Sequence, residues 1–395
     1  MLAKLHRKKN LVVIGLNSGT SADGLDLAAA KISFTAKIPR IKYIAGKTVP
    51  YPADLRKMVN RTIIENIASM DDIITLDRAL GFFYAVQTSK FIKTLKRKKI
   101  LPDLVASHGQ TVRHLPGKVK LGHKKESGTL QLGHPETISA MNGLVTVADF
   151  RQGDIALGGE GAPITVKAMW ALFGSEKESR MMVNIGGIAN YFLFPKGKGS
   201  NKVRAADCGP GNSLIDIIAS RYFNRRFDPG GKIASRGNIS MRLISLLTAD
   251  KFIKKKYGPS TGRERFGTAF AEKIVEYSLK LGLTKFDILA STTELTAVAI
   301  SNAIGEFLQK YDINDIYLFG GGAKNSFLKE RLSANLPDCQ LRNVSELGYD
   351  PDYLEAICYA LHGAWTVRGE TSSLPQVTGA GKPAVAGKII QPPGK

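Results

Sequence analysis

Short apolar runs that end in glycine or small polar residues recur along the chain. They are LVVIGLNSG (11–19), LVASHGQT (104–111), LVTVADF (144–150), MMVNIGG (181–187) and IYLFGGG (316–322). Between them, apolar positions follow helical spacing over 71–99, 211–224, 266–282, 294–311, 325–336 and 352–368. Strands alternating with helices predict an α/β class, and unbroken apolar runs predict strands buried on both faces. Ligands of such sheets sit beyond the carboxyl ends of the strands, which is where the small polar residues fall. VVIGLNSGTSADGLDLAAA and MMVNIGGIANYFLF both read as strand, glycine-bearing turn, strand. This approximate repeat predicts two related domains.

A chain of 395 residues is too long for one small core, which also predicts two domains. The Gly-rich ALGGEGAPIT (156–165) is the best boundary, giving an N-terminal domain over 1–155 and a C-terminal domain over 156–364. The loop-rich end, from about residue 365 to 395, is expected to pack back onto the first domain. Three cysteines suggest a reducing compartment and no disulfide framework. The six histidines lie in no HExxH or Cys-Cys-His spacing, which argues against a zinc site. The apolar run after the basic N-terminus stops after six residues, at Asn17, too short for a signal peptide, and no segment reaches membrane-spanning length. A cytoplasmic protein without a membrane partner is expected. The net charge of +22 favours anionic partners. However, lysines at 90–99 and 251–256 end amphipathic helical patterns, where they complement the helix dipole. No aromatic-rich strand or recognition helix accompanies them, so no nucleic-acid partner is expected.

The turn after the first strand is overlong. It offers the hydroxyls of Ser18, Thr20 and Ser21 and backbone N–H groups near Gly15, Gly19 and Gly24, a nest able to cradle phosphates. Neither a P-loop nor a Rossmann fingerprint is present. In ADCGPGN (206–212), Asp207 precedes Gly209, Gly211 and Asn212, which open a helix. Helix N-termini bind anions, and a carboxylate beside such a site is a natural general base. In LFGGGAKN (318–325), Gly320, Gly321 and Gly322 end a strand, leaving backbone against which a flat base can lie. With Gly186 and Gly187 of VNIGGIAN, these four strand ends form the pattern expected of a nucleotide held between two domains.

These residues resemble the anhydro-N-acetylmuramic acid kinases of the actin-like ATPase superfamily. The resemblance is nearly full length and rests on SGTSADGLD (18–26), SHGQTVRH (107–114), VADFRQGDIALGGEGAP (147–163), NIGGIAN (184–190), DCGPGN (207–212), STGRERF (260–266), TTELTAVAI (292–300), GGGAKN (320–325) and LPQVTGA (374–380). It implies a two-domain actin-like, ribonuclease H-like fold with ATP and Mg2+ in an interdomain cleft. It further implies that water opens a 1,6-anhydro sugar and that the 6-oxygen takes the γ-phosphoryl group. Asp207 would activate the water, and residues 18–26 (Ser18, Gly19, Thr20, Ser21, Ala22, Asp23, Gly24, Leu25, Asp26) would hold the β- and γ-phosphates. The GGGAKN segment, with Asn325, would border the adenosine. Magnesium is expected through phosphates and waters, with Asp23 or Asp26 holding a water.

By the same resemblance, Thr111, Arg151 and Glu355 line the sugar site, with Arg151 suited to the lactyl carboxylate. The competing reading of Arg151 is an ion pair with Asp149 or Asp154. His108 is expected only to brace its own loop, and Asp154 and Glu160 to fix theirs. Asn17 stands where many family members have Met and resembles the levoglucosan kinases, which makes a levoglucosan-type kinase one rival. An ATP-driven switch without enzymatic activity is another, opposed by the absence of an appended peptide-binding domain. The family also implies a homodimer.

Overall fold

The computed structural model describes residues 2–19, 23–36, 38–63, 65, 67–197, 199–254, 261–262 and 265–394. Twelve strands run in chain order as β1 (Asn10–Ser18), β2 (Gly24–Ser33), β3 (Arg40–Pro50), β4 (Leu104–Leu121), β5 (Lys124–Leu132), β6 (Val145–Ala148), β7 (Arg180–Ile185), β8 (Ile188–Phe194), β9 (Arg204–Pro210), β10 (Asp315–Phe319), β11 (Gln340–Asn343) and β12 (Lys388–Ile390). They form two sheets in two compact units, residues 1–172 with 352–395 and residues 173–351.

In the first unit, β3-β2-β1 is an antiparallel meander, and β4 and β6 continue the sheet parallel to β1. In the second, β9-β8-β7 is the meander, and β10 and β11 continue parallel to β7. Both sheets therefore have the order 3-2-1-4-5 with the same strand directions, the ribonuclease H-like arrangement. The repeated hairpin expected from sequence is the first hairpin of each sheet, β1–β2 and β7–β8.

Five helices matter below: α1 (Met70–Arg97), α2 (Asn212–Phe223), α3 (Lys285–Lys310), α4 (Ser326–Asn335) and α5 (Leu354–Val367). Helix α5 lies against β1 so closely that a Cβ on Gly15 would collide with the carbonyl oxygen of Ala356. Apolar side chains of β1 and β2, including Ile14, Leu16 and Leu27, pack with Leu76, Leu80 and Leu95 of α1 in one core. Beneath the second sheet, Ile300, Ile304 and Phe307 of α3 meet Met181, Val183 and Leu318.

Helix α3 begins at Lys285, well before the 294 expected, because Thr284 and Asp287 form a reciprocal capping box at its N-terminus. Strand β4 runs on to Leu121, past the expected 111, as one arm of a hairpin with β5.

The Gly-rich stretch 156–165 is not a boundary. The buried Asp154 accepts from the Gly161 amide at 3.0 Å and from the Thr378 hydroxyl at 2.7 Å, tying that loop to the C-terminal segment. The first unit thus extends to Leu172, and its return begins at Asp352 rather than about 365. β12 pairs antiparallel with β6 at its edge.

Candidate active site

In the second unit, β7, β9 and β10 run in parallel directions, so their carboxyl ends lie at one edge of the sheet. The Gly186-Gly187 turn follows β7, Gly209 to Asn212 joins β9 to α2, and Gly320 to Gly322 follow β10. Backbone hydrogen bonds interlock the first two turns: the amides of Gly211 and Asn212 donate to the carbonyls of Gly187 (3.0 Å) and Gly186 (2.8 Å). No side chain fits at 211, because its Cβ would strike the Gly186 carbonyl oxygen. The Asn212 side chain donates to the Ile185 carbonyl at 3.0 Å, and its atoms also border Gly321 and Gly322. Seven of the predicted glycines and Asn212 therefore share one edge.

Asp207 sits where β9 departs from regular pairing. Gly209 opposes Ala189 and Asp207 opposes Asn190, which leaves Cys208 as an extra residue, a β-bulge. Gly209 accommodates it at φ 135°. The bulge buries the Cys208 thiol, whose pKa is pushed well up by burial and then by the Asp207 charge. That thiol is no nucleophile at neutral pH. One Asp207 carboxylate oxygen accepts from the Thr261 amide at 2.7 Å. The Asn325 side-chain oxygen caps α4 by accepting from the Leu328 amide at 3.0 Å.

In the first unit, the end of β1 is braced by side chains. Ser18 Oγ lies 2.7 Å from the Gly24 carbonyl oxygen, 2.7 Å from Gln110 Oε1 and 2.5 Å from the Tyr51 hydroxyl. Tyr51 reaches the Tyr84 hydroxyl at 2.8 Å, and Gln110 Nε2 donates to the Gly19 carbonyl at 3.2 Å. Sequence reasoning missed Tyr51, Tyr84 and Gln110. Leu25 points into the core of this unit, so only its backbone is left for a ligand. Thr20, Ser21 and Ala22 lie outside the described residues.

A cluster of carboxylates adjoins this turn. Asp26, opposite Asn17 across β1–β2, accepts from the Thr48 hydroxyl at 2.6 Å. Burial pushes its pKa up to about 6; the Thr48 hydrogen bond opposes this and the Glu355 charge adds to it. Glu355, in the first turn of α5, accepts from Asn17 Nδ2 at 2.7 Å. Its side chain reaches solvent, yet surrounding protein raises its pKa, against the Asn17 hydrogen bond and the Arg151 charge. Among the described residues, no group of three or more His, Cys, Asp or Glu is placed to hold a metal ion.

Arg151 does not form the ion pair considered from sequence. Asp149 pairs with Lys388, and Asp154 is occupied by Gly161 and Thr378. Arg151 donates instead through Nε to His108 Nε2 at 3.1 Å and through Nη1 to the Gly161 carbonyl at 2.8 Å. Thr111 accepts from Gln131 Nε2 at 3.2 Å. No described helix is long and apolar enough to cross a membrane.

The model of the family described as anhydro-N-acetylmuramic acid kinase matches residues 11–392. An anhydro-N-acetylmuramic acid kinase of Caldanaerobacter subterraneus subsp. tengcongensis is 34% identical over 98% of this chain and 99% of its own. Proteins of the same name from Salinibacter ruber and Gloeothece citriformis are 33% and 37% identical. Their matches cover 99% and 96% of this chain and 99% and 98% of theirs. The chain belongs to the anhydro-N-acetylmuramic acid kinase family.

Proposed function

We propose that the protein is an ATP-dependent kinase that hydrolytically opens 1,6-anhydro-N-acetylmuramic acid and phosphorylates its 6-oxygen, giving N-acetylmuramic acid 6-phosphate for peptidoglycan recycling. The observation that carries this reading is Asp207, set on a bulge just ahead of the N-terminus of α2 and beside three glycine turns. A carboxylate next to backbone N–H donors suits a base working beside a phosphate.

In this reading Asp207 takes a proton from water as the water oxygen attacks the anomeric carbon. The bond from that carbon to the 6-oxygen breaks, and the 6-oxygen forms a bond to the γ-phosphorus as the β–γ bridging bond breaks, leaving ADP. Phosphoryl transfer of this kind depends mainly on positioning and charge stabilisation. Backbone N–H groups of the 18–26 turn hold the β- and γ-phosphates, with Ser18 bracing the turn from below. The glycines at 186–187, 209–211 and 320–322 let backbone approach the nucleotide. Arg151 holds the lactyl carboxylate, and Thr111 and Glu355 bind the sugar. Magnesium, when bound with ATP, would neutralise phosphate charge; Asp23 and Asp26 are the carboxylates of that turn suited to its waters.

An ADP-release assay with anhydro-N-acetylmuramic acid, levoglucosan or no sugar tests the proposal. Release that depends on the first sugar, with the 6-phosphate identified as product, is expected. Release indifferent to any sugar would sink the kinase reading.

A further inference from the structure

We propose that His108 is a positioning residue for sugar recognition: it fixes the Nε edge of Arg151 and, through that arginine, sets affinity for the anionic substituent of the sugar. The inference rests on the proposed pairing of Arg151 with the lactyl carboxylate. A guanidinium offers a rigid fork of donors, but its long side chain loses rotamer freedom whenever it is held. Here two donors are already engaged, Nε by His108 Nε2 and Nη1 by the Gly161 carbonyl. The arginine is thus ordered before any sugar arrives.

His108 is well held for this task. It lies where the β1–β4 register slips between Leu16 and Ser18, followed by Gly109 at φ 75°. The ring is 5% exposed and stacks on Tyr359 at 4.4 Å between centroids and 19° between planes. Tyr359 in turn stacks on Phe150 at 5.6 Å.

The choice of a histidine has a chemical consequence. To accept from Arg151 Nε, the imidazole must be neutral with its proton on Nδ1, a tautomer assigned from the hydrogen bond. Burial and then the Arg151 charge keep its pKa well below the ordinary histidine value. A neutral acceptor orders the guanidinium without cancelling its charge. A carboxylate at this position would order it too, but would compete with the carboxylate of the substrate.

The test compares KM for anhydro-N-acetylmuramic acid and for its lactyl methyl ester in the full-length wild type and three variants. His108→Phe keeps a ring for Tyr359 but has no acceptor, His108→Gln places an oxygen near the Nε2 position, and His108→Glu adds a charge. For the acid, KM is expected to rise about tenfold in His108→Phe, the size of one charge-assisted hydrogen bond. It should stay near wild type in His108→Gln and rise more in His108→Glu than in His108→Gln. For the ester, wild type and all variants should agree within about twofold. An unchanged KM for the acid in His108→Phe, or an equal rise for acid and ester, overturns the inference. Should His108→Phe fail to fold, equal KM values for His108→Gln and His108→Glu overturn it instead. A wild type that turns over neither sugar brings down the kinase reading itself, a result distinct from these.

Discussion

The two units build the same strand order but stabilise their first turns by different means. In the first unit, the turn after β1 hangs on side chains: Ser18 meets Tyr51 and Gln110, and Tyr51 meets Tyr84. In the second, the turn after β7 is held mainly by backbone, with Gly211, Asn212 and Ser213 amides donating to the carbonyls of Gly187, Gly186 and Gly187, and the Asn212 side chain adding one bond to the Ile185 carbonyl. A side-chain brace leaves the backbone N–H groups of its turn to a ligand and weakens by degrees when one hydroxyl is lost. A backbone brace needs residues without Cβ, and it fails by collision. The two designs therefore predict different responses to substitution.

The largest expected effect is on chemistry at the backbone-braced edge. Asp207→Asn keeps an oxygen to accept from the Thr261 amide but cannot take a proton. Turnover should fall by about 10²- to 10⁴-fold, the usual contribution of a general base, while ATP binding measured by calorimetry stays close to wild type. A variant that keeps its rate would place the base elsewhere.

Next is Gly211→Ala. The new methyl would meet the Gly186 carbonyl oxygen, a backbone atom that cannot swing aside. The loss should be about 1–3 kcal/mol, read as a lowered thermal midpoint. Gly305→Ala serves as its contrast: this glycine lies inside α3 with open space where a Cβ would go. It should gain about 0.5–1 kcal/mol from helix propensity. Equal midpoints for the two variants would remove the steric basis of the comparison.

The same contrast explains what could be read from the sequence. Glycine runs at 186–187, 209–211 and 320–322 were legible because strand ends rich in glycine have few other uses. The placement of Asp207 at a strand end ahead of GPGN followed from the same glycines, although the bulge at Cys208 did not, since register is a property of two strands. The brace of Ser18 was hidden: its partners Tyr51 and Gln110 lie 33 and 92 positions away, with no periodicity to link them. His108 and Arg151, 43 apart, were hidden likewise: the expectations for Arg151 were the lactyl carboxylate or, in competition, an ion pair with Asp149 or Asp154, and neither included His108. The early start of α3 had a signal, Thr284 three residues before Asp287, that the apolar spacing alone overlooked. Local chemistry was readable, and long-range side-chain partners were not.

Tyr51→Phe probes the side-chain brace with a smaller expected effect. The ring remains, packed edge-on to Phe83 at 5.5 Å, but the deeply buried Tyr84 hydroxyl loses its Tyr51 partner. A loss of about 1–2 kcal/mol is expected for a buried group deprived of one hydrogen bond. KM for ATP should rise about threefold as the turn loosens, with KM for the sugar unchanged. If both constants rise together, the brace does not serve the phosphate turn specifically.

The smallest effect concerns Asp26, beside the same turn. Its pKa is raised from 3.8 to about 6 in the folded protein, chiefly by burial. Between about pH 4 and 6 the folded state therefore binds more protons at this site than the unfolded chain. Stability contributed by Asp26 must then fall as pH rises through that window, since ∂ΔG/∂pH follows the protons bound unfolded minus folded. Asp26→Asn keeps the shape and an acceptor for Thr48 but abolishes the titration. The thermal midpoint of the variant relative to wild type should thus increase steadily from pH 4 to 6 and level off above it. A difference that stays constant across that range would mean Asp26 keeps an ordinary pKa, and that the carboxylates around Asn17 are better solvated than their packing implies.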